Sequence, residues 1–356
     1  MASSRLVWFR RLALAGTLLA LLVIVLGGWV RLNAAGLGCP DWPGCYGHLT
    51  AGEASRNLEV IGQLFPDARP FEYEKALKEM IHRYFAGGLG LIIVALAGIA
   101  LWNRRDPLQP VTLPIALVAV VTLQGLLGMW TVTLLLKPLV VVLHLVGGLA
   151  TMGLLAWLAT RPAEVPAAGS DRRLARLTVA GLAVLAVQIV LGGWTSTNYA
   201  ALACPDFPTC QASYWPQMDF RDAFVLWRGL GIDYEGGVLD HPARVAIHFV
   251  HRLGAVVTAV VLGTLAWLAW RHGSSVRVRR AGVAVAVVLA IQLILGPVMV
   301  LKGLPLALAT AHNGVAALLV LAMVRLLRVL TPAAAVTARA PEPAALNLTD
   351  SAGQRA

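Results

Sequence analysis

Apolar positions run along this chain in eight long stretches, separated by short polar turns or by longer polar loops. Each stretch has about 20 residues, the length that crosses a hydrocarbon core about 30 Å thick. Because lipid offers no hydrogen-bond partners to a bare backbone, each stretch is predicted to be a helix. The predicted spans cover residues 12–31, 78–101, 112–134, 139–159, 175–197, 244–270, 281–301 and 306–328. The pattern therefore predicts an all-α integral membrane protein with eight transmembrane helices.

The chain contains two copies of one unit. The matching segments are Ile24–Trp29 with Ile189–Trp194, Cys39 and Cys45 with Cys204 and Cys210, and His82-Arg83 with His251-Arg252. The displacement is 165 positions for the first two matches and 169 for the third. A fixed long period indicates a duplicated unit. We predict two repeated four-helix bundles, residues 1–160 and 161–330, followed by a disordered cytoplasmic tail over residues 331–356.

Charge indicates which side of the predicted bundles faces the cytoplasm. The chain is 58% hydrophobic and 13% charged, with a formal net charge of +11. Arginines cluster in the short turns on one side, such as Arg104-Arg105 and Arg172-Arg173, as the positive-inside rule describes. We predict a bacterial inner membrane protein with both termini in the cytoplasm and two long outer loops, about 32–77 and 198–243. No basic stripe is interleaved with stacking aromatic residues, so the charge does not indicate nucleic-acid binding.

Four histidines fall at one level of the predicted helices. They are His82 and His144 in the first unit, and His251 and His312 in the second. Each lies five to eight residues inside the outer end of its predicted span, about 8–12 Å below the surface. One membrane histidine usually hydrogen-bonds to a neighbouring helix, but two matched pairs favour a bis-imidazole haem site. Zinc requires more converging ligands than one pair supplies.

Residues next to the histidines fit a haem pocket. Arg83 and Arg252 directly follow their histidines, where a guanidinium is placed to pair with a haem propionate. Simple snorkelling of these arginines to the interface is the alternative. Glycines near the histidines leave room for a flat macrocycle; they are Gly87, Gly88, Gly90, Gly147, Gly148, Gly254 and Gly314.

The two copies differ one helical turn before the histidine. Glu79 lies three residues before His82, on the same helix face, whereas His248 holds the matching place before His251. A carboxylate near a metal centre accepts protons and stabilises positive charge. We therefore predict one pocket equipped for chemistry and one for storing or passing electrons. The alternative for Glu79 is an interfacial carboxylate within the charge cluster 72–78.

The four cysteines lie in the two predicted outer loops, as Cys39 with Cys45 and Cys204 with Cys210. Because that side of the membrane is oxidising, a disulfide closing each loop is the favoured interpretation. A redox relay through the same thiols and a zinc site shared by the two loops are the alternatives. The chain has no Cys-x-x-Cys-His sequence, which argues against covalent haem attachment.

In combination, these motifs resemble bacterial haem A synthase. The matching residues are Glu79-x-x-His82-Arg83, His144, His248-x-x-His251-Arg252, His312 and both cysteine pairs, within about residues 10–328. The resemblance implies an enzyme that oxidises the C8 methyl group of haem O to a formyl group by successive hydroxylations, giving haem A for cytochrome oxidase. It implies that His82 and His144 face the substrate haem with Glu79 as the catalytic carboxylate. It further implies that His251 and His312 bind haem b.

The same resemblance implies partners: haem O, the farnesyltransferase haem O synthase, an unidentified electron acceptor and membrane lipid, with a homo-oligomer left open. Other functions compete with this interpretation. A di-haem b electron carrier would keep both haems and transform no substrate, but it would place its ligands at more than one depth. A transporter built from repeats and a thiol–disulfide oxidoreductase are the remaining alternatives.

Overall fold

Eight long apolar helices dominate the fold. The computed structural model describes residues 4–66, 69–160 and 169–331. Its helices are α1 (Ser4–Leu32), α2 (Ala51–Ala54), α3 (Leu58–Leu64), α4 (Tyr73–Trp102), α5 (Thr112–Thr133), α6 (Pro138–Ala159), α7 (Gly169–Thr197), α8 (Phe220–Ala223), α9 (His241–His272), α10 (Val276–Leu301) and α11 (Leu306–Leu330). All but the short α2, α3 and α8 are long and apolar enough to cross a membrane. The predicted all-α membrane class with eight spans is therefore confirmed, while the predicted tail from residue 332 onward lies outside the described residues.

Five of the eight long helices begin three or more residues earlier than the apolar pattern predicts; they are α1, α4, α7, α9 and α10. α4 begins at Tyr73 rather than near residue 78, and α9 begins at His241 rather than near residue 244. The additional first turns of α4 are polar, and Lys78 there pairs with Glu74 at 3.6 Å. Apolarity marks only the length of helix in lipid, so it misses polar turns that continue above the membrane.

The long helices pack as two groups of four. In the first group α1 and α5 each pack on α4 and α6, and in the second group α7 and α10 each pack on α9 and α11. Phe9 and Met152 are buried in the first group, and Leu262 and Met323 in the second. The groups meet along a seam where α1 packs on α11 and α6 packs on α7 and α11. These contacts support the predicted division of the chain, and the repeated two-bundle arrangement stays a prediction.

Corresponding turns of the two sequence copies share an unusual backbone conformation. Tyr46 and Gln211, each next to the second cysteine of its loop, have positive φ angles of 52° and 57°. The peptide bonds Trp42-Pro43 and Phe207-Pro208 are both cis. A close bridge also follows each loop, from Cys45 to His48 and from Cys210 to Ser213. These matches support the duplication inferred from the sequence.

Part of the second outer loop reaches across to the first group of helices. This segment, residues 225–238, is called the strap. The backbone N–H of Tyr234 donates to the carbonyl of Leu135 in the α5–α6 turn, at 3.1 Å. Leu135 has a φ of 51°, an uncommon conformation for a leucine, whereas the corresponding residue of the second copy is Gly303 with a φ of 72°. The strap therefore stabilises the α5–α6 turn in a backbone conformation that leucine at position 135 does not favour.

Lys137, the residue before α6, binds the strap through its ammonium group. Its side chain is 2% exposed, and its ammonium group donates to the carbonyl of Gly229. The same ammonium group lies 3.8 Å from the centre of the Trp227 ring. Arg69 of the first outer loop also pairs with Asp233 of the strap. Lys137 thus links the start of α6 to a loop that belongs to the other half of the chain.

Replacing Lys137 by Met should release the strap. Methionine keeps contact with Trp227, but it cannot donate to the carbonyls of Arg228 and Gly229, so we expect a loss of about 1 kcal/mol in local stability. Hydrogen exchange of the purified protein should show faster exchange in residues 225–238 and in the α5–α6 turn. Lys302→Met is the matched control, because Lys302 is exposed in the corresponding α10–α11 turn. Equal exchange in both variants would contradict this role.

Candidate functional site

The predicted histidine pairs come together within each group of helices. The imidazole of His82 on α4 lies close enough to that of His144 on α6 to interact with it electrostatically. His251 on α9 and His312 on α11 are neighbours in the same way. All four side chains are only partly exposed. Each pair therefore joins a helix of the seam, α6 or α11, to a helix outside it.

Glycines on neighbouring helices make the space for the four imidazole rings. A Cβ atom on Gly27 would lie 2.9 Å from Cε1 of His82, and one on Gly192 would lie 3.1 Å from Cε1 of His251. Gly128 and Gly296 face His144 and His312 in the same way, at 3.4 and 3.5 Å. These four glycines lie in segments that repeat in the sequence. Their repetition could have indicated a role beside the histidines, but no role was predicted for them.

The glycines predicted to leave room for a macrocycle differ in how much space lies beside them. Gly87 and Gly90 have no atoms within 4 Å of a virtual Cβ, so space is open beside them. The places of a Cβ at Gly147 and Gly254 are instead taken by the side-chain amides of Gln124 and Gln188. Only part of the predicted glycine set therefore leaves room for a macrocycle.

The donor atoms fit a bis-imidazole haem site. Among the residues that the structure describes, the Nδ1 atoms of His82, His144 and His312 are buried without a well-aligned hydrogen bond, whereas Nδ1 of His251 lies 3.1 Å from Nε2 of Gln188. Two neighbouring imidazoles on facing helices are a ligand set for haem iron. Nε2 of His312 lies 3.2 Å from the amide of Gln292, which must move aside for a ligand there.

Glu79 is fixed to the first disulfide loop. It is 4% exposed. Its Oε2 accepts the backbone N–H of Cys39 at 2.9 Å, and its Oε1 pairs with Arg83 at 2.5 Å. The carboxylate thus has two defined partners and lies one helical turn from His82. Both partners lie outside the charge cluster 72–78, in which an interfacial carboxylate was the alternative for Glu79.

Arg83 and Arg252 bind the carbonyl groups of their own disulfide loops. Arg83 donates to the carbonyl of Asp41 at 2.8 Å and to the carbonyl of Gly44. Arg252 donates to the corresponding carbonyls of Asp206 and Thr209, both at 2.8 Å. It donates further to Cys204 and, at 3.3 Å, to His248. These carbonyl partners were not predicted; the sequence indicated a haem propionate, or simple snorkelling to the interface, for both arginines.

Both predicted disulfides are present, Cys39–Cys45 and Cys204–Cys210. An aspartate stabilises each loop from inside: Asp41 accepts the N–H of Gly47 at 2.8 Å, and Asp206 accepts the N–H of Ala212 at 2.9 Å. The hydrogen bond from the Thr209 hydroxyl, followed by those from backbone N–H groups, lowers the pKa of Asp206 to about 2 against the opposing effect of burial. The carboxylate is therefore ionised at neutral pH.

The sequence profile described as cytochrome oxidase assembly protein, COX15-CtaA, matches residues 10–324. A protein of Shewanella oneidensis named Heme A synthase is 44% identical over 323 residues, covering 90% of this chain and 95% of that protein. A Heme A synthase of Rhizorhabdus wittichii is 27% identical over 321 residues, covering 85% and 88% of the two chains. One of Paracoccus denitrificans is 27% identical over 314 residues, covering 82% and 79%.

Replacing Arg252 by Lys should loosen the second disulfide loop. Lysine keeps the charge, but it lacks the planar set of donors that reaches several carbonyls at once. Because each hydrogen bond to a charged group contributes about 1.5–3 kcal/mol, we expect clearly faster hydrogen exchange in residues 204–213. Arg271→Lys, at the exposed C-terminal end of α9, is the control. Unchanged exchange in Arg252→Lys would show that the loop does not depend on these bonds.

Proposed function

We propose that this chain, which belongs to the COX15-CtaA family of cytochrome oxidase assembly proteins, is a haem A synthase. It is an oxidoreductase that acts on haem O, and we infer that it oxidises the C8 methyl group to a formyl group by successive hydroxylations. The observation that carries the proposal is the pairing of histidines in both halves with a carboxylate, Glu79, in only one of them.

The two halves have separate roles in this proposal. The first half binds the substrate haem through His82 and His144, with Arg83 beside them. The second half holds haem b between His251 and His312, with His248 and Arg252 next to the ligands. Haem b, when bound, supplies a redox centre that receives electrons. An electron acceptor outside this chain and the farnesyltransferase that makes haem O complete the reaction sequence, at an inner membrane with both termini in the cytoplasm.

Glu79 is the catalytic residue of this proposal. Each two-electron oxidation of the methyl carbon releases protons and passes through an electron-poor carbon, which a nearby carboxylate stabilises. The Cys39 N–H and the Arg83 guanidinium fix both carboxylate oxygens, so the charge is oriented before substrate binds. At the corresponding position His248 has no negative charge. Methyl oxidation is therefore assigned to the first half alone.

The haem content of the purified protein tests this division. The protein is purified in detergent from cells that also make haem O, and its pigment is extracted with acidified solvent and identified by mass. We expect haem b together with haem O, a hydroxylated intermediate or haem A. His251→Ala should lose haem b, and His82→Ala should lose the farnesylated haems. Haem b alone in the unchanged protein would favour the di-haem electron carrier.

Replacing Glu79 by Gln should stop conversion while leaving the substrate bound. Glutamine keeps an acceptor for the Cys39 N–H but removes the negative charge, so we expect conversion to fall about 100-fold or more. The measurement is the ratio of haem A to haem O in the extracted pigment. Glu74→Gln is the control, since Glu74 is exposed in the first turn of the same helix. Normal haem A production by Glu79→Gln would refute the assigned role.

A further inference from the structure

The guanidinium group of Arg31 is a charge that the proposed function does not use. Arg31 lies in the last turn of α1, one helical turn after Gly27, the glycine that faces the imidazole of His82. Its Nη2 donates to the carbonyl of Ser196 on α7 at 2.8 Å, while its Nε is buried without a well-aligned hydrogen bond. Among the residues that the structure describes, no carboxylate forms a salt bridge with it. A guanidinium held away from water without an anion is costly, so this site favours an anionic ligand.

Tyr199, from the other half of the chain, lies against this guanidinium. The guanidinium carbon of Arg31 lies 4.3 Å from the centre of the Tyr199 ring, and the Tyr199 hydroxyl is buried close enough to interact with the charge. The strap packs against this tyrosine, since a Cβ on Gly237 would lie 3.3 Å from the Cβ of Tyr199. Arg31 and Tyr199, called the seam pair, thus place a cation and a phenol together where the two groups of helices meet.

The two copies of the sequence supply this pair once, not twice. At the displacement of 165 positions, Ser196 corresponds to Arg31 and Ala34 corresponds to Tyr199. The turns after α1 and α7 nevertheless match, because Ala34 and Tyr199 both have positive φ angles, 49° and 53°. The turn therefore forms without a tyrosine, and its backbone does not explain why a phenol lies beside a cation here.

We propose that the seam pair binds a propionate carboxylate of the haem in the first half. α1 packs on α4 and α6, the helices that carry His82 and His144, so α1 borders the space between these imidazoles. Arg31 lies about 6 Å further along α1 than Gly27, towards the disulfide loops. Haem carries its two propionates at one edge. A planar guanidinium binds a carboxylate through two donors, and the phenol of Tyr199 supplies a third.

This inference rests on the proposed function, in which the haem of the first half is haem O, and it adds a way to orient that substrate. In haem O the C8 methyl group and one propionate belong to the same pyrrole ring, so binding this propionate limits where the methyl group lies. Arg83, the residue beside His82, donates instead to a loop carbonyl and to Glu79. Arg31 thus binds the substrate, and Glu79 remains the group that acts at the methyl carbon.

The test compares haem O with its propionate dimethyl ester as ligands of the purified full-length protein. The protein is made in cells that lack haem O, so that haem b occupies the second half, and the binding of each ligand is followed by its absorbance. Arg31→Met keeps a long side chain but loses the charge. It should weaken the binding of haem O by about 10–100-fold and leave the binding of the ester unchanged. An equal loss for both ligands would show a packing role and overturn the inference.

Tyr199→Phe tests the second member of the seam pair. This change keeps the ring and removes the hydroxyl, so we expect the affinity for haem O to fall about 3–10-fold, again without an effect on the ester. The same comparison in Tyr199→Phe decides the question if Arg31→Met does not fold. Arg56→Met and Tyr214→Phe are the matched controls, because both residues are exposed in the outer loops.

The remaining outcomes separate this inference from the proposed function. Faster loss of haem b from Arg31→Met, with normal binding of haem O, would assign the guanidinium to the other haem and overturn the inference. A wild-type protein that binds no haem O would refute the proposed function itself. Normal binding of haem O by both Arg31→Met and Tyr199→Phe would refute only the role of the seam pair.

Discussion

The guanidinium groups of Arg83 and Arg252 attach the outer loops to the helices that carry the histidines. Each arginine directly follows a candidate haem ligand, and each donates to carbonyl groups of the disulfide loop above it. A guanidinium has several donors in one plane and keeps its charge at any physiological pH. A single side chain can therefore hydrogen-bond to several carbonyl groups of one turn. The disulfide keeps that turn closed. Loop and histidine are therefore positioned together, and a change in one is transmitted to the other.

The position one helical turn before the first histidine carries a different side chain in each half. In the first half a buried carboxylate, Glu79, lies between Arg83 and the Cys39 N–H, and these partners offset the cost of removing it from water. In the second half His248 occupies that place and accepts a longer contact from Arg252. A neutral imidazole needs less compensation than a carboxylate. The two groups of helices thus tolerate either side chain at this position, and on the proposed function this one difference separates the reactive site from the haem b site.

The length and number of spans could be predicted because lipid requires long apolar helices, and the histidines stood out because polar groups are rare there. The disulfides followed from spacing and side of the membrane. The strap could not be predicted, since its contact from Tyr234 to Leu135 joins irregular segments far apart in the chain and has no period. The roles of Gly27 and Gly192 were also hidden, because a repeated glycine does not reveal which neighbouring helix it faces. The carbonyl partners of Arg83 and Arg252 were hidden for a similar reason: the sequence does not show that the loop carbonyls lie within reach of these side chains.

On the proposed function, the contacts between the halves explain how the first group of helices can stay folded when its substrate haem leaves. A group that binds only the folded state stabilises it by mass action, so on the proposed function the second half gains stability from a permanent haem that the first half periodically lacks. The first half has other supports. The strap and Lys137 hold the start of α6, and the amide of Asn313, next to His312, donates to the carbonyl of Ile24 on α1 at 3.2 Å. His144 therefore lies on a helix that also contacts the second half, and on the proposed function this side of the substrate pocket stays in place when the haem leaves.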